Sequence, residues 1–77
     1  MKHFLDFVVR SLVDNPDDVQ ITEIPRDGET TYRVSLHPSD VGLVIGKGGR
    51  TIGSIRALIN AATKGNDHLA VEVVENS

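Results

Sequence analysis

The chain has no cysteine, so neither a disulfide framework nor a thiolate metal site is available, and a reducing cytoplasm is the expected compartment. Aromatic side chains are scarce: Phe4, Phe7 and Tyr32 are the only three. A surface that works by stacking many bases on rings is therefore not expected. No apolar run is long enough to cross a bilayer. The opening Met1–Arg10 segment carries Asp6 and Arg10 and lacks a small-residue cleavage site, which predicts an amphipathic helix and neither an exported leader nor a membrane partner. There is no internal repeat, low-complexity tract or linker, and 77 residues read as one domain, 1–77, with one small core. His3, His37 and His68 are dispersed and lack metal-ligand spacing, so no metal is expected. Asp17-Asp18 would point to opposite faces of a strand and reads as a solvated turn or strand start. No nucleophile–base pair or cofactor loop can be assembled, so the reading is not an enzyme, with no catalytic residue, no cofactor and no small-molecule substrate.

One further absence is local. From Val41 to Asn66 there is no acidic residue, while Lys47, Arg50, Arg56 and Lys64 all fall there. That window carries +4 and the remainder −7, within a net charge of −3. A cationic face on an acidic body suits a placed contact with a few phosphates rather than bulk coating of a polyanion, with modest salt dependence.

At the centre of this window lies Val44-Ile45-Gly46-Lys47-Gly48-Gly49-Arg50-Thr51-Ile52. Glycines permit a tight bend and close approach of another backbone, and the free N–H groups at a helix start attract anions. A P-loop would need a glycine where Val41 stands and Ser or Thr where Gly48 stands. A dinucleotide fingerprint would need a third glycine at Thr51 and a preceding strand. Both fail. A Gly-x-x-Gly bend between two helices, Gly46-Lys47-Gly48-Gly49, fits without a departure.

Apolar spacing supplies the elements. Phe4, Leu5, Val8, Val9, Leu12 and Val13 predict a helix from about Lys2 to Val13, stopped by Asp14-Asn15-Pro16. Val19 to Ile24, the turn cluster Pro25–Glu29 with its Asp27-Gly28 pair, and alternating Tyr32, Val34 and Leu36 predict a two-stranded hairpin. Ser39 is a candidate cap, and Asp40 suits the positive first turn, of a short helix reaching Val44. Ile52, Ile55, Leu58, Ile59 and Ala62 fall within roughly a third of a helical circumference, predicting a helix over 50–63. Lys64-Gly65-Asn66 is expected to end it, and Leu69, Val71 and Val73 alternate into a last strand. The class is α+β, in the order α-β-β-α-α-β.

Order and bend together resemble the KH domain in its type II arrangement, a three-stranded sheet packed on one side by three helices. The opening helix, the 13–19 junction, Pro38-Ser39-Asp40-Val41-Gly42 and the stretch 45–52 resemble the small bacterial single-KH proteins of the KhpA family. The resemblance implies a cytoplasmic protein that binds single-stranded RNA with little sequence selectivity. It also implies an RNA chaperone or post-transcriptional regulator that forms a homodimer or pairs with a second KH protein, KhpB, in control of cell elongation and division.

The expected RNA site is Ile45, Gly46, Lys47, Gly48, Gly49, Arg50 and Thr51, with Val41, Val44 and Ile52 as candidate groove lining and Arg56 as a further contact. Core packing stands open beside groove lining for Val44, Ile45 and Ile52, and plain helix surface beside RNA contact for Arg56 and Lys64. A self-complementary patch around Ile52, Ile55 and Ile59 is the expected dimer interface. The competing reading is a protein-interaction adaptor whose third-helix surface serves a partner KH protein. Gly53 sits in the first turn of that helix, where a better helix former would be less costly by up to about 1 kcal/mol.

Overall fold

A computed structural model describes residues 1–63 and 69–76. The first helix, α1 (Lys2–Leu12), turns Leu5 and Val9 fully into the core, with Val8 and Val13 half-buried against it. It stops one residue before the expected end because Val13 adopts extended backbone. The corner leading out of α1 contains a 3₁₀ turn at Pro16–Asp18. Arg10 fastens it: the guanidinium pairs with Asp6 at 2.9 Å and donates to the carbonyls of Pro16 and Val19, the latter at 3.2 Å.

Strands β1 (Gln20–Arg26) and β2 (Glu29–Leu36) form the expected hairpin, antiparallel, with Arg26 opposite Glu29. Asp27 and Gly28 both take positive φ, 46° and 83°, as a two-residue turn that matches the strand twist requires. Pro25, expected in the turn, lies within β1 opposite Thr30. Because β1 is an edge strand, a proline there is tolerated. The last strand, β3 (Leu69–Glu75), pairs in parallel with β2, giving the order β1-β2-β3. Two helices form the crossover: α2 (Val41–Ile45) and α3 (Arg50–Ala62). The expected stop at Lys64-Gly65-Asn66 lies outside the described residues.

The class is the expected α+β fold. Ile21, Tyr32, Val34, Leu36 and Val71 are buried in one core with Leu5, Val9, Val44, Ile52, Ile55 and Ile59 from the helices. Thr22, Arg33 and Glu72, in register with one another, are exposed on the far face.

Two expectations are corrected by this packing. Ile52, Ile55 and Ile59 are 6 %, 3 % and 2 % exposed, so they hold α3 to the sheet and offer no free patch for a dimer. Val44 is fully buried and Ile52 nearly so, which removes both from the groove lining. The apolar stripe of α3 is wider than the contact it makes, and its edge, Leu58, stays exposed.

The chain into α2 also differs from the expected cap. Ser39 and Asp40 belong to a 3₁₀ turn, Pro38–Asp40, in which the Ser39 N–H is taken by His37 Nδ1 at 3.1 Å. Asp40 makes no side-chain cap to α2, and its carboxylate turns to Asp14 and Asn15 instead.

Candidate nucleic-acid interface

The bend is built by backbone torsions that side chains other than glycine avoid. Gly46 has φ 77° and ψ 171°, while Gly48 and Gly49 lie in the left-handed region at φ 64° and 77°. Gly46 closes α2 by donating its N–H to Gly42 O at 2.9 Å, and Gly49 N–H donates to Gly46 O at 3.1 Å. The Arg50 N–H is taken by Lys47 O. Among the described residues the N–H groups of Lys47 and Gly48 enter no such backbone bond. They stand at the exposed tip of the bend, directly before the N-terminus of the thirteen-residue α3.

Gly46 is required for a second reason. A Cβ there would stand 2.2 Å from Thr51 Oγ1 and 2.8 Å from Thr51 N, so the bend is folded back against the first turn of α3. At Gly48 a Cβ would meet nothing within 4 Å, which leaves that side open to an approaching chain.

Charge adds to this arrangement. Lys47 and Arg50 are exposed on either side of the Gly48-Gly49 pair, and among the described residues neither joins an ion pair. Of the expected site, the structure therefore brings together Gly46, Lys47, Gly48, Gly49, Arg50 and Thr51, with Ile45 half-buried directly before them and Val41 half-buried at the other end of α2.

Arg56 lies elsewhere. Its Nη2 donates to Val71 O at 3.0 Å, spanning from α3 to the edge strand β3. Around it is a cleft of about 280 Å³ lined by Arg56, Ile59, Asn60, Leu69, Ala70 and Val71. Asn60 and Ala70 were not singled out by the sequence, and Leu69 and Val71 were expected only as strand residues. Asn60 was discernible in principle, since it lies four residues after Arg56 and so shares its helix face; the strand residues depend on β3 being an edge.

A glycine bend between two helices, backed by a mixed three-stranded sheet with a cleft along its open edge, defines a KH-type domain. The family described as KhpA/KhpB, KH domain, matches residues 2–74. Similar proteins include one from Clostridium acetobutylicum, 40% identical over 75 residues (96% of this chain, 100% of the relative). Another is from Chlamydia pneumoniae, 38% identical over 76 residues (97% of each), and a third from Mycobacterium bovis, 42% identical over 71 residues (92% of this chain, 86% of the relative). All three are named RNA-binding protein KhpA, a family of binding proteins and not of enzymes. The chain belongs to the KhpA/KhpB KH-domain family.

Proposed function

We propose that this protein binds single-stranded RNA through the 46–49 bend, with the sugar-phosphate backbone against the bend and bases along the cleft between α3 and β3. The observation that carries the reading is the pair of amides, Lys47 and Gly48, which among the described residues enter no backbone bond, beside the two exposed cations Lys47 and Arg50. An anion placed there gains both hydrogen bonds and charge. A bend of this kind holds about four nucleotides. With no aromatic side chain among the described residues that line the cleft, base stacking is weak and selectivity slight. The names of the relatives support the same ligand.

By analogy with the family, we place this activity in the cytoplasm, as an RNA chaperone or post-transcriptional regulator acting in cell elongation and division, as a homodimer or with KhpB. No helix among the described residues is long and apolar enough to cross a membrane. The test is the double variant Lys47→Asp with Gly48→Asp, titrated with a single-stranded oligoribonucleotide by fluorescence anisotropy at low salt. A folded double variant that loses binding supports the loop mechanism; one with unchanged affinity removes it.

The adaptor reading keeps one observation of its own. Phe7 on α1 is 71% exposed and Leu58 on α3 is 51% exposed, with Phe4 at 39%. Contiguous exposed apolar side chains are the usual material of an association surface, and Phe4 and Phe7, three residues apart, share one face of α1. Phe7→Glu should lower the mass seen by light scattering if the homodimer uses this side, and a wild type monomeric at high concentration would refute the homodimer.

A further inference from the structure

Among the described residues, Asp40 is the one charged side chain that is buried, with no exposed surface at all. A carboxylate in that position persists only if donors surround it. Three do: the Asp14 N–H at 3.2 Å, the Asn15 N–H at 3.0 Å and Asn15 Nδ2 at 3.1 Å. All three belong to the corner between α1 and β1, which Arg10 fastens from its other end through the carbonyls of Pro16 and Val19.

Asp40 leads directly into α2, and α2 is weakly held by its own means. It has five residues, buries only Val44, and receives no side-chain cap at its N-terminus. So short a helix is not sustained by its own hydrogen bonds and takes its direction from the groups it is tied to. Its C-terminal end runs directly into Gly46. The direction of α2 therefore sets where the amides of the bend point, and the Asp40 contacts fix the end of α2 remote from the bend.

We propose that Asp40 is a positioning residue for the RNA contact: its carboxylate ties the start of α2 to the Asp14-Asn15 corner and so aims the Lys47 and Gly48 amides. This rests on the RNA-binding reading above. Asp40 touches no RNA itself, because its carboxylate is enclosed and its donors lie in the corner, apart from the bend.

Two variants test the tie. Asp40→Asn keeps the size of the side chain but sets an NH₂ group against N–H donors; Asn15→Ala is milder and removes only the side-chain donor. Backbone amide NMR spectra are recorded without RNA, and affinity for a single-stranded oligoribonucleotide is measured by anisotropy at a temperature where circular dichroism shows each variant folded. In both variants the signals of Gly46, Lys47 and Gly48 should move, while those of Thr22, Arg33 and Glu72 on the far face of the sheet stay. Affinity should fall about tenfold in Asp40→Asn, within the range of coupling between sites. Adding Lys47→Asp and Gly48→Asp to Asp40→Asn should then cost less than the same pair costs in wild type, because the contact is already impaired.

Unmoved bend signals in folded Asp40→Asn would overturn the proposal, as would fully additive losses. If Asp40→Asn does not fold, the same signals in Asn15→Ala decide. Bend signals that move in a protein whose wild type binds no oligoribonucleotide would support the tie and overturn the RNA reading instead.

Discussion

Thr51 packs directly against the bare Cα of Gly46: its Oγ1 would be 2.2 Å from a Cβ added there. The bend is thus closed from within, by the first turn of α3, and open on its outer side at Gly48.

That asymmetry separates two glycines that look alike in sequence. Gly48→Ala meets no neighbour and costs about 1–2 kcal/mol of left-handed strain. Gly46→Ala meets a positive φ with ψ 171°, a region essentially confined to glycine, and also forces Thr51 aside, so its loss of stability should be larger and its RNA affinity lower. Thermal unfolding and anisotropy on the two variants check the order.

The core and the surface of α3 should respond oppositely. Ile55→Ala opens a cavity in the helix–sheet contact and should cost about 2–5 kcal/mol in urea unfolding. Leu58→Ser, at an exposed site, should stay within about 0.5 kcal/mol. A large loss at Leu58 would mean that the helix faces are misassigned.

Gly53 offers a gain. It lies in α3, exposed, at an ordinary helical φ, and a Cβ there would meet nothing within 4 Å. Gly53→Ala should raise stability by up to about 1 kcal/mol, or Tm by about 4–8 °C, without changing RNA affinity.

Acid and alkali act on two buried groups. Burial works to raise the Asp40 carboxyl, but the hydrogen bonds from the Asn15 side chain and the Asp14 and Asn15 amides, with His37 nearby, outweigh it and hold it below the ordinary 3.8. A depressed carboxyl stabilises the fold above its unfolded value, and that contribution is lost as pH falls through the folded one. The Tm of wild type should therefore drop more steeply below pH 4 than that of Asp40→Asn. Burial, then the Glu23 carboxylate, pushes the Tyr32 hydroxyl above 10.0. Its contribution is complete below 10.0 and lost as pH rises through the folded value, so absorbance titration of the phenolate should lag behind free tyrosine.

Much of the fold was legible in the chain. The Asp27-Gly28 turn, the alternation at Tyr32, Val34 and Leu36, and the glycine bend arise from local chemistry, and local chemistry decides them. The features that were not legible depended on partners distant in sequence. Periodicity placed Ile52, Ile55 and Ile59 on one helix face but could not tell a core face from a docking face until β3 was found beside α3. Asp40 at a helix start reads as a carboxylate suited to the positive first turn, yet its donors come from 25 and 26 residues away. The cleft around Arg56 needs the strand order, which no spacing encodes.

Whether the bend grips RNA is decided by an NMR titration of the labelled protein with a short single-stranded oligoribonucleotide. The largest amide shifts should fall on Lys47 and Gly48, then on Arg50 and Thr51, while the far face of the sheet stays still. Saturating RNA that leaves the Lys47 and Gly48 amides in place would contradict the role assigned to them.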